Sequence, residues 1–87
     1  MLQIKIIHDG HYMYIQEIKD DDQVLSTFDE SANKIELALM VPFIGRKVMI
    51  SHYVKEGEDL YFDYEHEQTI VAVAQEEDGN WFIEWSE

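Results

Sequence analysis

The chain has no cysteine, one proline and four glycines in 87 residues, and after Lys55 it has no lysine or arginine at all. Without cysteine there is no disulfide framework and no thiolate zinc site, which fits a reducing compartment. No apolar run approaches the ~20 residues of a membrane span. The opening stretch MLQIKIIHDG also lacks the basic region and apolar run of a signal peptide. A cytoplasmic location is therefore expected. Asp20-Asp21-Asp22 lacks the spacing and the later Glu of a calcium loop. No glycine-rich phosphate loop and no nucleophile–His–Asp order is present either. These absences point away from an enzyme and from any cofactor or metal.

What is present is a globular composition, 46% hydrophobic and 13% aromatic. The length suits one domain spanning residues 1–87. A domain of this size buries only about 60–65% of its unfolded surface, so its stability margin is thin.

The charge is −13 overall, and it is unevenly placed. Residues 1–55 carry eight acids against six bases, whereas residues 56–87 carry eleven acids and no base. Phosphate must be met by Lys and Arg, so direct nucleic-acid binding is disfavoured. Anionic membrane surfaces are disfavoured on the same ground. A basic protein surface is the natural partner. Solubility alone is the plainer account of an acidic chain, but it does not require one third of the chain to lose every positive charge.

Period-two alternation dominates the chain. In LQIKIIHDGHYMYIQEI, Asp9-Gly10 is a strong two-residue hairpin signal. That register pairs His8 with His11, Ile6 with Met13 and Ile4 with Ile15. The segment QVLSTFDESANKIELALMV reads in two ways. As a hairpin it has a four-residue loop Glu30–Asn33, with Asn33 left-handed and Asp29 opposite Lys34. As a helix near 28–40 it has a Thr27–Glu30 capping box but exposes Leu37 and Met40. RKVMISHYV follows as a strand, with Val48, Ile50, His52 and Val54 alternating.

DLYFDYE, TIVAVAQ and NWFIEWS then read as three strands with turns at 66–68 and 76–79. In that register Leu60, Phe62, Tyr64, Ile70, Ala72, Ala74, Trp81, Ile83 and Trp85 face inward. The fold expected is all-β: a small antiparallel meander of seven or eight short strands forming a barrel or two packed layers. The alternative is α+β, with one helix near 28–40 on an antiparallel sheet.

The stretch EGEDLYFDYEHEQ interleaves carboxylates with aromatics. On a strand, Tyr61, Asp63 and Glu65 share the outward face, continuing to Glu67, with successive side chains about 6.5–7 Å apart. The expected register adds Glu84 to the row of Asp63 with Val71 between, and sets Tyr61, Val73 and Phe82 in an apolar row beside it. Asp59, Glu76, Glu77 and Asp78 extend the negative surface. A row of carboxylates near phosphate spacing with flanking aromatics is what a protein mimic of nucleic acid presents. The partner-binding set expected is thus Asp59, Tyr61, Asp63, Glu65, Glu67, Glu76, Glu77, Asp78, Phe82 and Glu84.

The function expected is a small acidic inhibitor that fills the basic groove of a nucleic-acid-binding protein, by analogy of size and charge with phage counter-defence proteins. Alternatives are an acidic immunity or antitoxin-like module capping a basic enzyme, or a non-enzymatic small barrel whose acidity serves solubility.

Other constellations are weaker. His8 and His11 across a turn lack a third metal ligand, His52 reads as a half-buried core residue, and His66 falls in the turn at 66–68. Asp63 and Glu84 as a glycosidase pair would have no cleft for a sugar.

Overall fold

Asp9 and Gly10 do turn the chain, but by a wider loop than the dipeptide alone implies. The Asp9 carboxylate accepts the amide protons of His11 and Tyr12, each at 3.1 Å, and its own N–H donates to the Tyr12 carbonyl. This side-chain turn occupies four residues, with Gly10 at φ 96°. Those two amides hold the Asp9 carboxyl below its usual pKa, Tyr12 contributing most. The first two strands, β1 (Leu2–His8) and β2 (Met13–Asp20), therefore pair His8 with Met13 and Ile6 with Ile15. The expected pairings of His8 with His11, Ile6 with Met13 and Ile4 with Ile15 do not form. A bulge then shifts the register, so that Ile4 sits opposite Ile18.

The computed structural model describes Met1–Glu87. Beyond β2 the strands are β3 (Gln23–Thr27), β4 (Lys47–Glu56), β5 (Asp59–Gln75) and β6 (Trp81–Ser86), with one 3-10 helix at Ala38–Phe43. They form a single six-stranded sheet in the order β3-β2-β1-β4-β5-β6. The fold is all-β, as expected. It differs from a pure meander in one connection: β4 lies beside β1 in parallel, and every other pair is antiparallel. The strand count is six because residues 66–68 make no turn, and DLYFDYE and TIVAVAQ run on as one strand.

The ambiguous segment adopts part of the hairpin and, of the helix expected near 28–40, only a 3-10 turn that begins at Ala38. Asp29 bridges Lys34, as the hairpin register requires, and Asn33 takes the left-handed conformation at φ 53°. The Asp29 carboxylate ties the loop down by accepting from the Ser31 hydroxyl at 2.7 Å and from the Ser31 and Ala32 amides. Pairing stops there, because the next residues are wanted elsewhere. Ile35, Leu37, Leu39, Met40 and Phe43 swing onto the concave side of the sheet and plug it. Met40 is completely buried and Leu37 nearly so, the two residues that a helix over 28–40 would have exposed.

β5 must bend. Straight, its 17 residues would span about 55 Å at ~3.3 Å each, yet the longest dimension of the molecule is 34 Å. Register shifts between His52 and Tyr53 on β4 and between Ile70 and Ala72 on β5 mark where the ladder kinks, in keeping with the bending that bulges cause. The sheet curls into a half-barrel. Its core joins Leu2, Ile4 and Ile6, Ile18, Val48 and Ile50, and Ile70 and Val73 to the plug. No helix is long and apolar enough to cross a membrane.

Candidate binding face

β6 covers only the second half of β5. Its pairing begins with Ser86 opposite Thr69 and runs to Trp81 opposite Gln75. From Asp59 to Gln68, β5 has β4 on one side and no strand on the other. The core also ends before this arm. Leu60, Tyr61, Phe62 and Tyr64 are therefore 38%, 53%, 57% and 49% exposed, and Asp59, Asp63, Glu65 and Glu67 are exposed between them. Only Glu67 meets a basic side chain, Lys47, at 3.4 Å. Glu65 accepts a weak hydrogen bond from the Ser51 hydroxyl. Nearby Lys5 is drawn to the Tyr53 ring, 4.5 Å from its centroid.

The pleat along this arm is not uniform. Tyr64 opposes His52, but Phe62 opposes Tyr53, so Asp63 is the extra residue of a bulge. Across it the alternation changes phase. Tyr61 opposes Val54 and shares the inner side of the sheet with Tyr64, while Phe62 shares the outer side with Glu65 and Glu67. The expectation that Tyr61, Asp63 and Glu65 line one face and Leu60, Phe62 and Tyr64 the other is corrected accordingly.

The remaining expected site residues lie elsewhere. Glu84 opposes Ala72, nine positions along β5 from Asp63, or roughly 30 Å of strand. The proposed row of Asp63 and Glu84 depended on the absent turn at 66–68 and does not exist. The apolar row fails for a related reason: the shift near Val71 turns Val73 into the core at 8% exposure, while Phe82 stays outside opposite Ala74. Trp81, Ile83 and Trp85 do pack inward. Glu76, Glu77 and Asp78 form the β5–β6 turn, where the Asp78 carboxylate accepts from the Asn80 backbone and side chain. The acids thus divide into two groups, Asp59–Glu67 on the arm and Glu76–Asp78 with Glu84 around the last hairpin.

Behind the arm lies a constellation that the sequence reading missed. The parallel register sets His52 opposite Ile6 and His8 opposite Val54, so the two histidines meet diagonally on one face. The continuous β5 brings His66, opposite Ile50, against the far side of His52. His8 Nε2 is 2.8 Å from His52 Nδ1, and His52 Nε2 is 2.9 Å from His66 Nε2. His66 Nδ1 is 2.9 Å from the Gln68 amide nitrogen. An amide nitrogen only donates, so the direction of the whole chain follows. Gln68 donates to His66, His66 Nε2–H donates to His52, and His52 Nδ1–H donates to His8. Tyr64 covers the middle ring, stacked at 4.3 Å and 13°.

A proton added to His52 would set two donors head to head. Burial is the main influence lowering its pKa, helped by His66 and His8 and opposed by the Asp63 charge. His52 presents a different nitrogen to each neighbour, so the three rings do not converge on one point as metal ligands must. The signal available in the sequence was a histidine on the apolar side of each of three strand-like runs, hidden by the placement of His66 in a turn.

A cleft of about 280 Å3 opens between β2, the connection after β3 and the start of β6, lined by Tyr14, Phe28, Leu37 and Trp81 with Lys34 at hand. It falls just short of the ~300–1,000 Å3 typical of small-molecule sites. No family model, curated protein or solved structure matches the chain.

Proposed function

We propose that the protein is a small acidic binding protein, an inhibitor that mimics nucleic acid and occupies the basic groove of a nucleic-acid-binding protein. The observation that supports this best is the arm of β5. Four exposed carboxylates occur within residues 59–67, only one of them near a basic side chain, with four large exposed apolar or aromatic residues among them. Fixed negative charge steers a basic partner onto the arm, and the rings add contact area where a nucleic acid would present bases. The reading assigns no catalysis, no cofactor and no direct contact with nucleic acid or membrane. It places the action in the cytoplasm, as the absence of cysteine favours, and gives the protein a role of the phage counter-defence type.

The arm, and not the second acidic group, is the proposed face, because it gathers four exposed carboxylates and four large exposed apolar or aromatic side chains on one strand, whereas the second group has Phe82 as the one exposed ring beside its acids. The test is capture from a host-cell lysate on immobilised protein, followed by elution with a duplex oligonucleotide. A nucleic-acid-binding protein should be released by the duplex and should be absent from a column carrying the Asp63→Lys, Glu65→Lys variant. If the duplex releases nothing, or the variant captures the same protein, mimicry through this face is refuted.

A further inference from the structure

Along Asp59–Gln68 the outer edge of β5 has no neighbouring strand, and in an antiparallel ladder alternate residues direct their N–H and C=O groups away from the existing partner. The bulge at Asp63 divides this edge, leaving Tyr64–Gln68 as a regular open ladder of roughly 17 Å, the length of an ordinary strand. Proteins usually blunt such an edge with charged side chains, lysine above all, with proline, with a bulge or with a covering element. This edge carries no lysine and no proline, the last base being Lys55 and the only proline Pro42. What guards it is the bulge at Asp63 and the carboxylates of Asp59, Asp63, Glu65 and Glu67, which repel an acidic strand but not a basic one.

We propose that this edge accepts an extended, basic peptide segment as an added strand. The proposal rests on the reading of the arm as the partner-binding face and states how the partner is held there. Main-chain hydrogen bonds supply affinity in strand addition, and the side chains on either face supply selection. Here the two faces differ. Beyond the bulge, Glu65 and Glu67 flank the outer side and Tyr64 and His66 the inner side; before it, Leu60 and Phe62 are outer and Asp59 and Tyr61 inner. Along Tyr64–Gln68, an incoming strand that alternates basic with apolar residues meets the Glu65 and Glu67 carboxylates on one face and the Tyr64 and His66 rings on the other.

The same charges reject a second copy of this chain. Antiparallel self-pairing of the segment would bring the acids of one copy against those of the other with no base in either, and like charges facing across strands are destabilising. The edge is thus closed to self-association and open to a basic strand.

The test uses two synthetic octapeptides of equal charge, one alternating lysine with valine and one alternating lysine with proline. Proline lacks the amide proton and cannot lie in a ladder. With isotope-labelled protein, the lysine–valine peptide should shift the amide resonances of residues 59–68 and slow their hydrogen exchange. It should bind at least about tenfold more tightly than the proline peptide, a difference of ~1.4 kcal/mol. Equal binding of both peptides at 59–68 would overturn strand addition and leave the acidic face as a purely electrostatic site. Binding of both only around Glu76–Asp78, or of neither, would overturn the face as well. A concentration-dependent dimer in sedimentation, with these same amides protected in the absence of peptide, would assign the edge to a second copy and refute the proposal.

Discussion

His52 has both ring nitrogens committed, one to His8 and one to His66, and so the fold holds it neutral. Burial, the leading cause, and the two neighbouring histidines set its folded pKa below the ordinary 6.5. The sign of the pH effect follows. Between the folded and the ordinary pKa the unfolded chain binds more protons than the native protein, so stability falls as pH drops through that window. The stabilisation is full above about pH 6.5 and is lost progressively below it. Melting temperature should decline between pH 7.5 and 5.5, and a His52→Phe variant, which keeps a ring to stack on Tyr64 but has no proton to gain, should show a shallower decline. An unchanged slope in that variant would mean the relay does not govern the acid response. At this scale the sequence was partly legible. The alternating run over 48–54 set His52 on the apolar side of its strand, and Asn33 could be assigned its left-handed conformation. The relay itself was not legible, because it needs β1 and β4 to be parallel neighbours and no local pattern specifies that.

Among the elements, the 3-10 helix plugs the concave side of the sheet that the bulges curl. Met40 is its one fully buried residue and packs into the cluster of Ile4, Ile18, Val48, Ile50 and Ile70. Met40→Ala should cost about 2–4 kcal/mol through lost burial and the cavity left behind, measured as a lower midpoint in urea unfolding. A loss under ~1 kcal/mol would mean that the plug is not integral to the core. Each strand has its centre in a segment read as strand or hairpin, but β2 and β4 run on into Lys19–Asp20 and Lys55–Glu56 and β5 runs through the expected turn. The Asp29–Lys34 bridge was readable from loop length. Registers were less readable. The Asp9 carboxylate widened the first turn by capturing two amides, and two bulges reversed the phase of β5. HEQ at 66–68, polar and lacking β-branched residues, resembles a turn. It is nevertheless strand because Val48, Ile50 and His52 pair across it and beyond it with Gln68, His66 and Tyr64.

For the whole molecule the governing quantity is charge. Eleven acids and no base lie in residues 56–87, and Lys47–Glu67 is the sole ion pair between side chains. Mutual repulsion in a domain with a thin stability margin should be relieved by screening. Melting temperature should rise by about 4 °C or more between low salt and ~0.5 M sodium chloride, the equivalent of ~1 kcal/mol in a domain of this size. A flat curve would show that the charges are too widely spaced to interact.

Whether the arm is a specific face or one part of a general acidity is decided by displacement of a labelled duplex from the nucleic-acid-binding protein released on oligonucleotide elution. Two variants change the charge equally: Asp63→Lys with Glu65→Lys on the arm, and Glu76→Lys with Glu77→Lys in the last turn. The wild-type protein should displace the duplex, with an affinity that weakens steeply as salt rises. The turn variant should remain within about threefold of it, and the arm variant should lose at least ~30-fold, corresponding to ~2 kcal/mol at a close charge pair. Equal losses in the two variants, or full displacement by the arm variant, would contradict the account.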